Sequence, residues 1–460
     1  MKNKIIYSAV AVALLSGCTS IMQKNDFEAF DSKLAVGDYV SASEVALDHA
    51  GYDEKTGETG DLLWTLQAGA TLSAAGQYEF STKLLDASES FMKEEDSEGV
   101  VVEGAELAGS MLGNDAMLSY EQKHYDGIMG NTIKAWNFIS TADFSNARVE
   151  LNRAEERQRR AAEHFAALIK EREEEIKAES GDSALSVSKT MSSDQTAKAL
   201  KAAGIEQGQW KPYEGFVNPF TTYSYGLNLM VSGKTKSDYA KAADAFKRVH
   251  SMTGSKTAKA DMELARSLSK GASKSKLTNR VWVIFENGQS SVKEERRVDL
   301  PIFLLSDNVS YSGIALPKLK KRGVAFSSIS VNGVNTDTIS DMDKIIGAEF
   351  DTEFPYILAR EITRVTIKTI AQKQVSDENQ LLGHAMGVLQ LATTGADIRT
   401  FSALPSEYQA ASLMAKSKLV EIKAGSFTLP VELDANSTNH IIYVKAVSNS
   451  VAPSVKVVNI

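Results

Sequence analysis

The sequence predicts an α+β protein in which a helical first half is followed by a β-rich second half. From residue 25 to about residue 275, apolar side chains recur with a period near 3.6 and alanine is frequent, which is typical of amphipathic helices. From residue 277 onward, short β-branched runs bounded by turn residues replace this pattern. The chain has 460 residues, of which 43% are apolar, and this is enough for two or three domains.

The first half, residues 27–275, contains helix pairs of similar design. Gly37-Asp38-Tyr39 and Gly76-Gln77-Tyr78 each begin a helix, and Asp238–Phe246 follows a break at Gly233. Small residues at the helix contacts, an aromatic residue at the start of the second helix and a unit of about 34 residues resemble the tetratricopeptide repeat. Each such pair leaves an apolar face that a neighbouring pair can bury, so these repeats stack into a curved scaffold. An irregular helical bundle is the alternative.

Two stretches of the first half depart from this paired pattern. Residues 145–178 are predicted to form one long helix, because Leu151, Ala154 and Leu168 continue a narrow apolar stripe along them. Residues 179–209 are rich in Ser, Ala, Lys and Gly and have few apolar anchors. We predict a mobile loop or a weak helix there.

The second half, residues 277–460, is predicted to be sandwich-like, with two inserted helices. The predicted strands are Arg280–Phe285, Val298–Leu305, Val324–Val331, Ser417–Ala424 and Ile441–Val447. One inserted helix is expected near 355–374, opened by Pro355, and a more apolar one near 380–394.

The amino-terminal residues 1–17 predict a lipoprotein signal peptide. Two lysines and a short apolar run precede Leu15-Ser16-Gly17, and Cys18 follows. The run is too short for a membrane-spanning helix. The arrangement resembles a bacterial lipobox, which implies lipidation of Cys18, an acylated tether over 18–26 and, since Thr19 follows, an outer-membrane location facing the periplasm. An ordinary secretory signal with a chance cysteine is the alternative.

Charge argues against nucleic acid and against an anionic membrane surface as partners. Residues 18–276 hold 30 basic and 40 acidic side chains, and residues 277–460 hold 19 of each, so neither half has the positive excess that phosphate binding requires. The six histidines are scattered without pairs at metal-ligand spacing, and the chain has one cysteine. We therefore predict no metal site, no cofactor and no disulfide.

Short motifs of known enzymes are incomplete in this chain. Gly226–Thr235 ends in Gly-Lys-Thr, but a phosphate-binding loop needs glycine at position 228, where Asn228 stands. Gly181–Leu185 resembles the serine block of GDSL-type hydrolases, but nothing near it would form an oxyanion hole. We predict no catalytic residues and no enzymatic activity.

One basic cluster is a candidate interaction surface. Lys318, Lys320, Lys321 and Arg322 place four cations within five residues, a pattern suited to an acidic partner or to phospholipid headgroups. A solvated hairpin tip is the alternative interpretation.

Three blocks of the sequence carry a resemblance to a known family. They are Tyr213–Thr221, Phe354–Glu361 and Ala396–Pro405. With the lipobox, they resemble an uncharacterised family of Gram-negative outer-membrane lipoproteins that have a tetratricopeptide-like N-terminal half and a β-rich C-terminal half. The resemblance implies no reaction and no cofactor. It implies an envelope complex shared with a lipoprotein that resembles the activators of penicillin-binding proteins.

Together these observations predict an outer-membrane lipoprotein that acts as a periplasmic protein-interaction scaffold. The concave helical surface would bind a partner protein, and the β-rich domain would present a second interface. The alternative is a cell-wall or polysaccharide-binding module, whose exposed aromatic candidates would be Trp64, Trp136, Trp210 and Tyr213. A hydrolase comes last, since it needs a pocket that gathers histidine or carboxylate groups with perturbed pKa values.

Overall fold

The structure is a computed structural model and has a mixed α/β architecture. It describes residues 22–98, 118–180, 184–206, 208–213, 217–303, 309–378 and 395–460. Helices make up the first half of this part of the chain, and three sheets make up most of the second half, which confirms the predicted order. The predicted signal peptide and the predicted helix near 380–394 lie outside the described residues. None of the described helices combines the length and the apolarity needed to cross a membrane.

Twelve α-helices lie within the described residues. They are α1 (22–35), α2 (Tyr39–His49), α3 (Leu62–Ala74), α4 (Tyr78–Glu98), α5 (His124–Ser140), α6 (Phe144–Ser180), α7 (Ala184–Met191), α8 (Asp194–Ala202), α9 (Pro219–Ser232), α10 (Lys236–Thr253), α11 (Lys256–Ser269) and α12 (Met342–Glu378).

Polar side chains cap the first turns of these helices. The Asp61 carboxylate accepts a hydrogen bond from the Trp64 amide at 2.8 Å and starts α3. Asn218 does the same for the Phe220 amide at 3.0 Å, with Pro219 at the first helical position of α9. Both arrangements satisfy amide groups that have no partner within the helix.

Consecutive helices pack on one another. Helices α2 to α6 form one series and α9 to α11 a second, and α9 also packs on α6, which joins the two series. Gly37 and Gly76 adopt positive φ angles of 74° and 81° in the turns before α2 and α4. These tight turns bring each helix back against the one before it.

The two unusual stretches of the first half are both helical in the structure. Helix α6 extends the helix predicted at 145–178 by a few residues. Within 179–209, where composition predicts a mobile loop or weak helix, α7 and α8 pack on the strand Val292–Phe303. Val187 and Leu200 are buried there, so two well-placed apolar side chains are enough to seat these short helices.

The strands form three sheets. The strands are β1 (Arg280–Asn287), β2 (Val292–Phe303), β3 (Val309–Lys320), β4 (Ser330–Val331), β5 (Val334–Asn335), β6 (Asp337–Asp341), β7 (Glu407–Met414), β8 (Leu419–Ala424), β9 (Phe427–Glu432), β10 (His440–Ala446) and β11 (Ser454–Asn459). The five-stranded sheet has the order β11-β10-β1-β7-β6, the four-stranded sheet β5-β4-β8-β9, and β2 and β3 form a hairpin. Strand β1 runs parallel to β10 and antiparallel to β7.

The central strand β1 is buried on both faces. Val281, Val283 and Phe285 point to a core shared with the four-stranded sheet, so the two sheets pack face to face. Trp282 and Ile284 point the other way, into the core formed by the helices. The alternation of side chains along a strand thus places one sheet between two cores.

The hairpin β2–β3 has a third core of its own. Leu300 and Ile314 pack with Phe354 of α12 and with Val187 and Leu200 from α7 and α8. This core attaches both α12 and the two short helices to the hairpin.

Two predictions for the second half need correction. The helix predicted to open at Pro355 begins at Met342, and Pro355 lies inside it. Asp341 accepts a hydrogen bond from the Lys344 amide at 3.0 Å and so provides an earlier start. Of the strand predicted at Val324–Val331, Ser330–Val331 belongs to a sheet, because bends at Ala325 and Ser327 interrupt the residues before it.

The helices and the five-stranded sheet share one hydrophobic core. Phe220 of α9 stacks on Tyr408 of β7 with ring centroids 3.6 Å apart, and Trp136 of α5 contacts Tyr443 of β10 at 4.8 Å. The boundary predicted near residue 276 therefore separates types of secondary structure, while the core runs continuously across it.

Candidate functional site

The helices, the hairpin and α12 meet around a cavity of about 120 Å³, here called the junction cavity. Residues 118–124, the hairpin, α12 and residues 396–399 form its wall. The charged side chains that line it are Glu121, Lys123, Lys293, Glu349, Glu353, Arg360, Glu361, Asp397 and Arg399. Ionisable groups of both signs in a poorly hydrated cleft are a common feature of binding and catalytic sites, and also of structural ion-pair networks.

The first wall is the turn that leads into α5. The Asp126 carboxylate accepts hydrogen bonds from the Tyr120 hydroxyl and from the Lys123 amide, both at 2.8 Å. Burial raises the pKa of Asp126 to about 7 despite these bonds, and it raises the pKa of Tyr120 well above its usual value. The Lys123 ammonium reaches across the cavity to Glu353 at 2.7 Å. This turn is thus tied to α12 by a charged hydrogen bond.

The second wall is α12, where Glu349 and Glu353 lie one turn apart. Glu349 is 8% exposed and accepts a hydrogen bond from the His124 amide at 2.8 Å. Burial and then the nearby charge of Glu353 raise the pKa of Glu349 to about 7. Glu349 therefore exchanges a proton near neutral pH.

The third wall is the loop that contains Asp397 and Arg399. Two nitrogens of the Arg399 guanidinium each donate to a different oxygen of Asp397 at 2.9 Å, and a third donates to the Leu118 carbonyl at 2.8 Å. Burial opposes ionisation of Asp397, but the Arg399 charge prevails and holds its pKa at about 2. Arg399 and Asp397 therefore form a bidentate ion pair, whose two hydrogen bonds fix the orientation of both side chains.

Lys293 of β2 contributes another positive charge to the wall of the cavity. Burial lowers the pKa of Lys293, and the neighbouring Lys123 charge lowers it further. Its ammonium forms no ion pair or hydrogen bond with any residue that the structure describes. Lys293 also lines a second, larger opening.

This larger opening, here called the α1 groove, has a volume of about 800 Å³. It lies between α1 and the strands β2 and β3, and residues 396–402 close one end. The charged side chains along it are Lys24, Glu28, Asp31, Lys293, Glu294, Glu295, Arg297, Lys320 and Arg322. The groove thus presents both signs of charge to solvent, next to the start of the described chain.

The basic cluster predicted from the sequence lies where β3 ends, at the edge of this groove. In the hairpin register Lys320 pairs with Val292, so the cluster is at the open end and not at a hairpin tip. Lys320 and Lys321 are exposed, and Lys318 is half-buried. The Lys321 ammonium sits 4.3 Å from the Trp210 ring centroid.

Arg322, the fourth member of the cluster, has an internal role. Its side chain is 13% exposed and pairs with Asp31 of α1 at 3.3 Å. It also donates hydrogen bonds to the carbonyl oxygens of Ser290 (2.6 Å) and Ser402. Arg322 therefore attaches α1 to the hairpin and is not an exposed contact residue.

The aromatic side chains proposed for polysaccharide binding are mostly internal. Trp64, Trp136 and Tyr213 are 9%, 5% and 7% exposed. Trp210 is half-buried against Gly347 and covered by Lys321. These four residues therefore form no exposed stacking platform for sugar rings.

The residues predicted for lipidation and signal cleavage, Cys18 and Leu15-Ser16-Gly17, lie outside the described residues. Among the residues that the structure does describe, no group of three or more histidine, cysteine, aspartate or glutamate side chains is arranged to hold a metal ion.

Sequence reasoning missed the junction cavity. Lys123, Lys293, Glu349 and Arg399 are spread over more than half of the chain, and no local spacing connects them. Two of the three blocks that carried the family resemblance, Phe354–Glu361 and Ala396–Pro405, contribute to its wall. These two blocks were the signal in the sequence that could have indicated the cavity, but only the fold shows that they meet in its wall.

Comparison with models of known protein families gives no match, and comparisons with curated proteins and with solved structures give none either.

Proposed function

We propose that this protein is a lipid-anchored scaffold on the periplasmic face of the outer membrane, and that its α1 groove binds a segment of a partner protein in an envelope complex. A lipoprotein resembling the activators of penicillin-binding proteins is the partner that the family resemblance suggests. The proposal gives the chain a binding role and no cofactor.

The α1 groove is the observation that carries this proposal. Its volume of about 800 Å³ is at the upper end for a ligand site, but charged side chains line much of it, whereas small-molecule sites are mostly apolar. Charges of both signs suit the side chains of a polypeptide and provide specificity through complementarity. Lys24 follows the predicted lipid-bearing Cys18 by six residues, so this surface would face partners held at the same membrane.

The helical region is consistent with a scaffold, but the surface that the sequence predicts to be concave and to bind a partner packs against the sheet. The stacked series α2–α6 and α9–α11 is compatible with tetratricopeptide-like units. However, helices α5, α9 and α11 pack against the five-stranded sheet through Trp136, Phe220 and Asp261, which binds the Trp282 indole. Since that helical face is used internally, we assign partner binding to the α1 groove instead.

Burial of the predicted aromatic residues favours a protein partner over a polysaccharide. A sugar-binding groove requires exposed rings, and three of the four candidates are less than 10% exposed.

A hydrolase is the second candidate, and the junction cavity is the observation that favours it. Glu349, whose pKa is about 7, lies beside His124 and Lys123 in one cavity. A general acid or base is expected to have such a pKa. Incubation with cell-wall fragments, followed by mass spectrometry, tests this candidate. Product that forms with the native chain and is lost in Glu349→Gln would establish it.

The scaffold is tested by crosslinking in living cells and affinity purification of the lipidated protein. We expect one envelope protein at near-stoichiometric yield, and less of it with Cys18→Ala. Reversing two exposed groove charges, Lys24→Glu with Lys320→Glu, should also reduce recovery. The matched control reverses two exposed lysines of α10, Lys241→Glu with Lys247→Glu, and should leave recovery unchanged. Recovery of glycan fragments, or equal loss in both charge variants, would contradict the proposal.

A further inference from the structure

We infer that the junction cavity binds a monocarboxylate, with the Lys293 ammonium as its counter-ion. The carboxylate belongs either to a free short-chain acid or to the carboxyl terminus of a peptide. This inference concerns the junction cavity, which shares Lys293 with the α1 groove, and it does not depend on the scaffold proposal.

Of the cations that line the cavity, Lys293 is the one on which the inference rests, while Arg360 has interactions of its own. Lys123 is neutralised by Glu353 at 2.7 Å, and Arg399 by Asp397 at 2.9 Å. Lys293 has no such partner among the described residues. A charge held in a poorly hydrated place without a counter-ion is costly, so an anion that enters the cavity gains by pairing with it.

The same residues determine how much charge the ligand carries. Glu349, Glu353 and Asp397 line the cavity together with Lys293. A dianion such as phosphate would bring two negative charges toward these carboxyl groups, whereas the Lys293 ammonium offers one positive charge. A monoanion matches the charge of Lys293.

The size and the apolar part of the wall point to a short aliphatic carboxylate. A cavity of about 150 Å³ holds a benzene molecule, so about 120 Å³ holds roughly five non-hydrogen atoms. Ala315, Pro317 and Ile357 provide the apolar part of the wall. Propionate and the terminal alanine of a peptide both combine a carboxylate with a methyl-sized group.

Calorimetric titration of the full chain in detergent tests this inference with four probes. Propionate and N-acetyl-alanyl-alanine carry the carboxylate, and propionamide and the amide of the same dipeptide lack it. We expect each carboxylate that fits to bind at least about tenfold more tightly than its amide, the usual effect of a charged hydrogen bond. Binding of propionate alone indicates a free acid, and stronger binding of the dipeptide indicates a peptide terminus.

Lys293→Met tests whether the ammonium is the counter-ion, and Lys241→Met, at an exposed position of α10 outside both openings, is the control. Carboxylate affinity should fall about tenfold or more in the first variant and stay unchanged in the second. Equal affinity for acid and amide, no binding up to about 10 mM, or unchanged affinity in Lys293→Met would overturn the inference. If Lys293→Met fails to fold, the comparison of acid with amide on the unaltered chain still decides it.

Discussion

Glu349 makes the stability of this protein depend on pH in a defined direction. Its pKa rises from 4.5 to about 7 on folding, mainly through burial. The folded state therefore binds the proton more tightly than the unfolded state, and this contribution to stability is present below pH 4.5 and lost as pH rises to about 7. At 1.36 kcal/mol per pKa unit, the loss amounts to about 3 kcal/mol.

We expect Glu349→Gln to reduce this pH dependence by the contribution of Glu349, while Asp126, whose pKa burial also raises to about 7, keeps its own contribution. The glutamine side chain keeps the oxygen that accepts from the His124 amide but no longer ionises. Chemical denaturation of both proteins at about pH 5 and pH 8 measures the difference. Glu263→Gln, at an exposed position of α11, is the control and should retain the native pH dependence. An unchanged slope in Glu349→Gln would show that other groups cause it.

Lys134 is a second residue whose surroundings predict a large effect. Its side chain is 2% exposed, and its ammonium lies 2.5 Å from Asp86, 3.1 Å from Glu89 and 3.1 Å from Glu150. These contacts connect α5 with α4 and α6. Burial disfavours the charge, but the three carboxylates prevail and raise the pKa of Lys134.

Replacing this lysine by methionine removes the most buried of the cations that pair with Glu89 and Glu150, and leaves Arg153, which is 48% exposed, as their shared partner. We expect Lys134→Met to lower the free energy of unfolding by about 2–3 kcal/mol. Lys93→Met is the control, because Lys93 pairs with the same Glu89 at 3.5 Å but is 67% exposed, and it should cost less than about 1 kcal/mol. Urea denaturation compares them, and similar losses in the two variants would refute this account.

At the scale of elements, the segment before α9 docks on α12 through one glycine. A Cβ atom at Gly347 would lie 2.2 Å from the Trp210 ring, so the indole rests directly on the helix backbone. The Asp351 carboxylate accepts a hydrogen bond from the Trp210 amide at 3.0 Å and holds the same contact. The indole occupies the space that a Cβ atom would fill, so the packing of Trp210 requires glycine at this position of the helix.

A double-mutant cycle tests this docking. We expect Gly347→Ala to destabilise the protein by about 1–3 kcal/mol, because the indole is displaced from its site. In a Trp210→Ala background the same change should be neutral or stabilising by up to about 1 kcal/mol, since alanine favours helix. Thermal unfolding of the four proteins provides the comparison. A loss of the same size in both backgrounds would mean that the clash with Trp210 is not the cause.

The elements also show what the sequence could predict. The spacing of apolar residues predicted the strand β1 and the long helix α6, because this signal is local in the sequence. The start of α12 was missed because Pro355 looked like a helix opener, although Asp341 already caps the helix. Residues 179–209 were predicted to be a mobile loop or a weak helix, because the stability of α7 and α8 depends on contacts with the hairpin, which composition does not reveal. The junction cavity was missed for the same reason, since tertiary contacts create it.

At the scale of the whole molecule, the shared core predicts cooperative unfolding. Trp136 lies in the helical series and Trp282 in the central strand, and both belong to one core. We expect one transition, with equal calorimetric and van't Hoff enthalpies. Variants that keep Trp136 or Trp282 as their single tryptophan should report the same midpoint by fluorescence. Midpoints that differ by more than about 5 °C would instead indicate two independent domains.

The parallel pairing of β1 with β10 limits when this fold can form during synthesis. Strand β10 ends at Ala446 of a 460-residue chain, and it is one of the two strands flanking β1. A chain that emerges from its amino terminus lacks this partner until residues 440–446 have been made, so the central sheet can close only after α1 to α12 have all been synthesised.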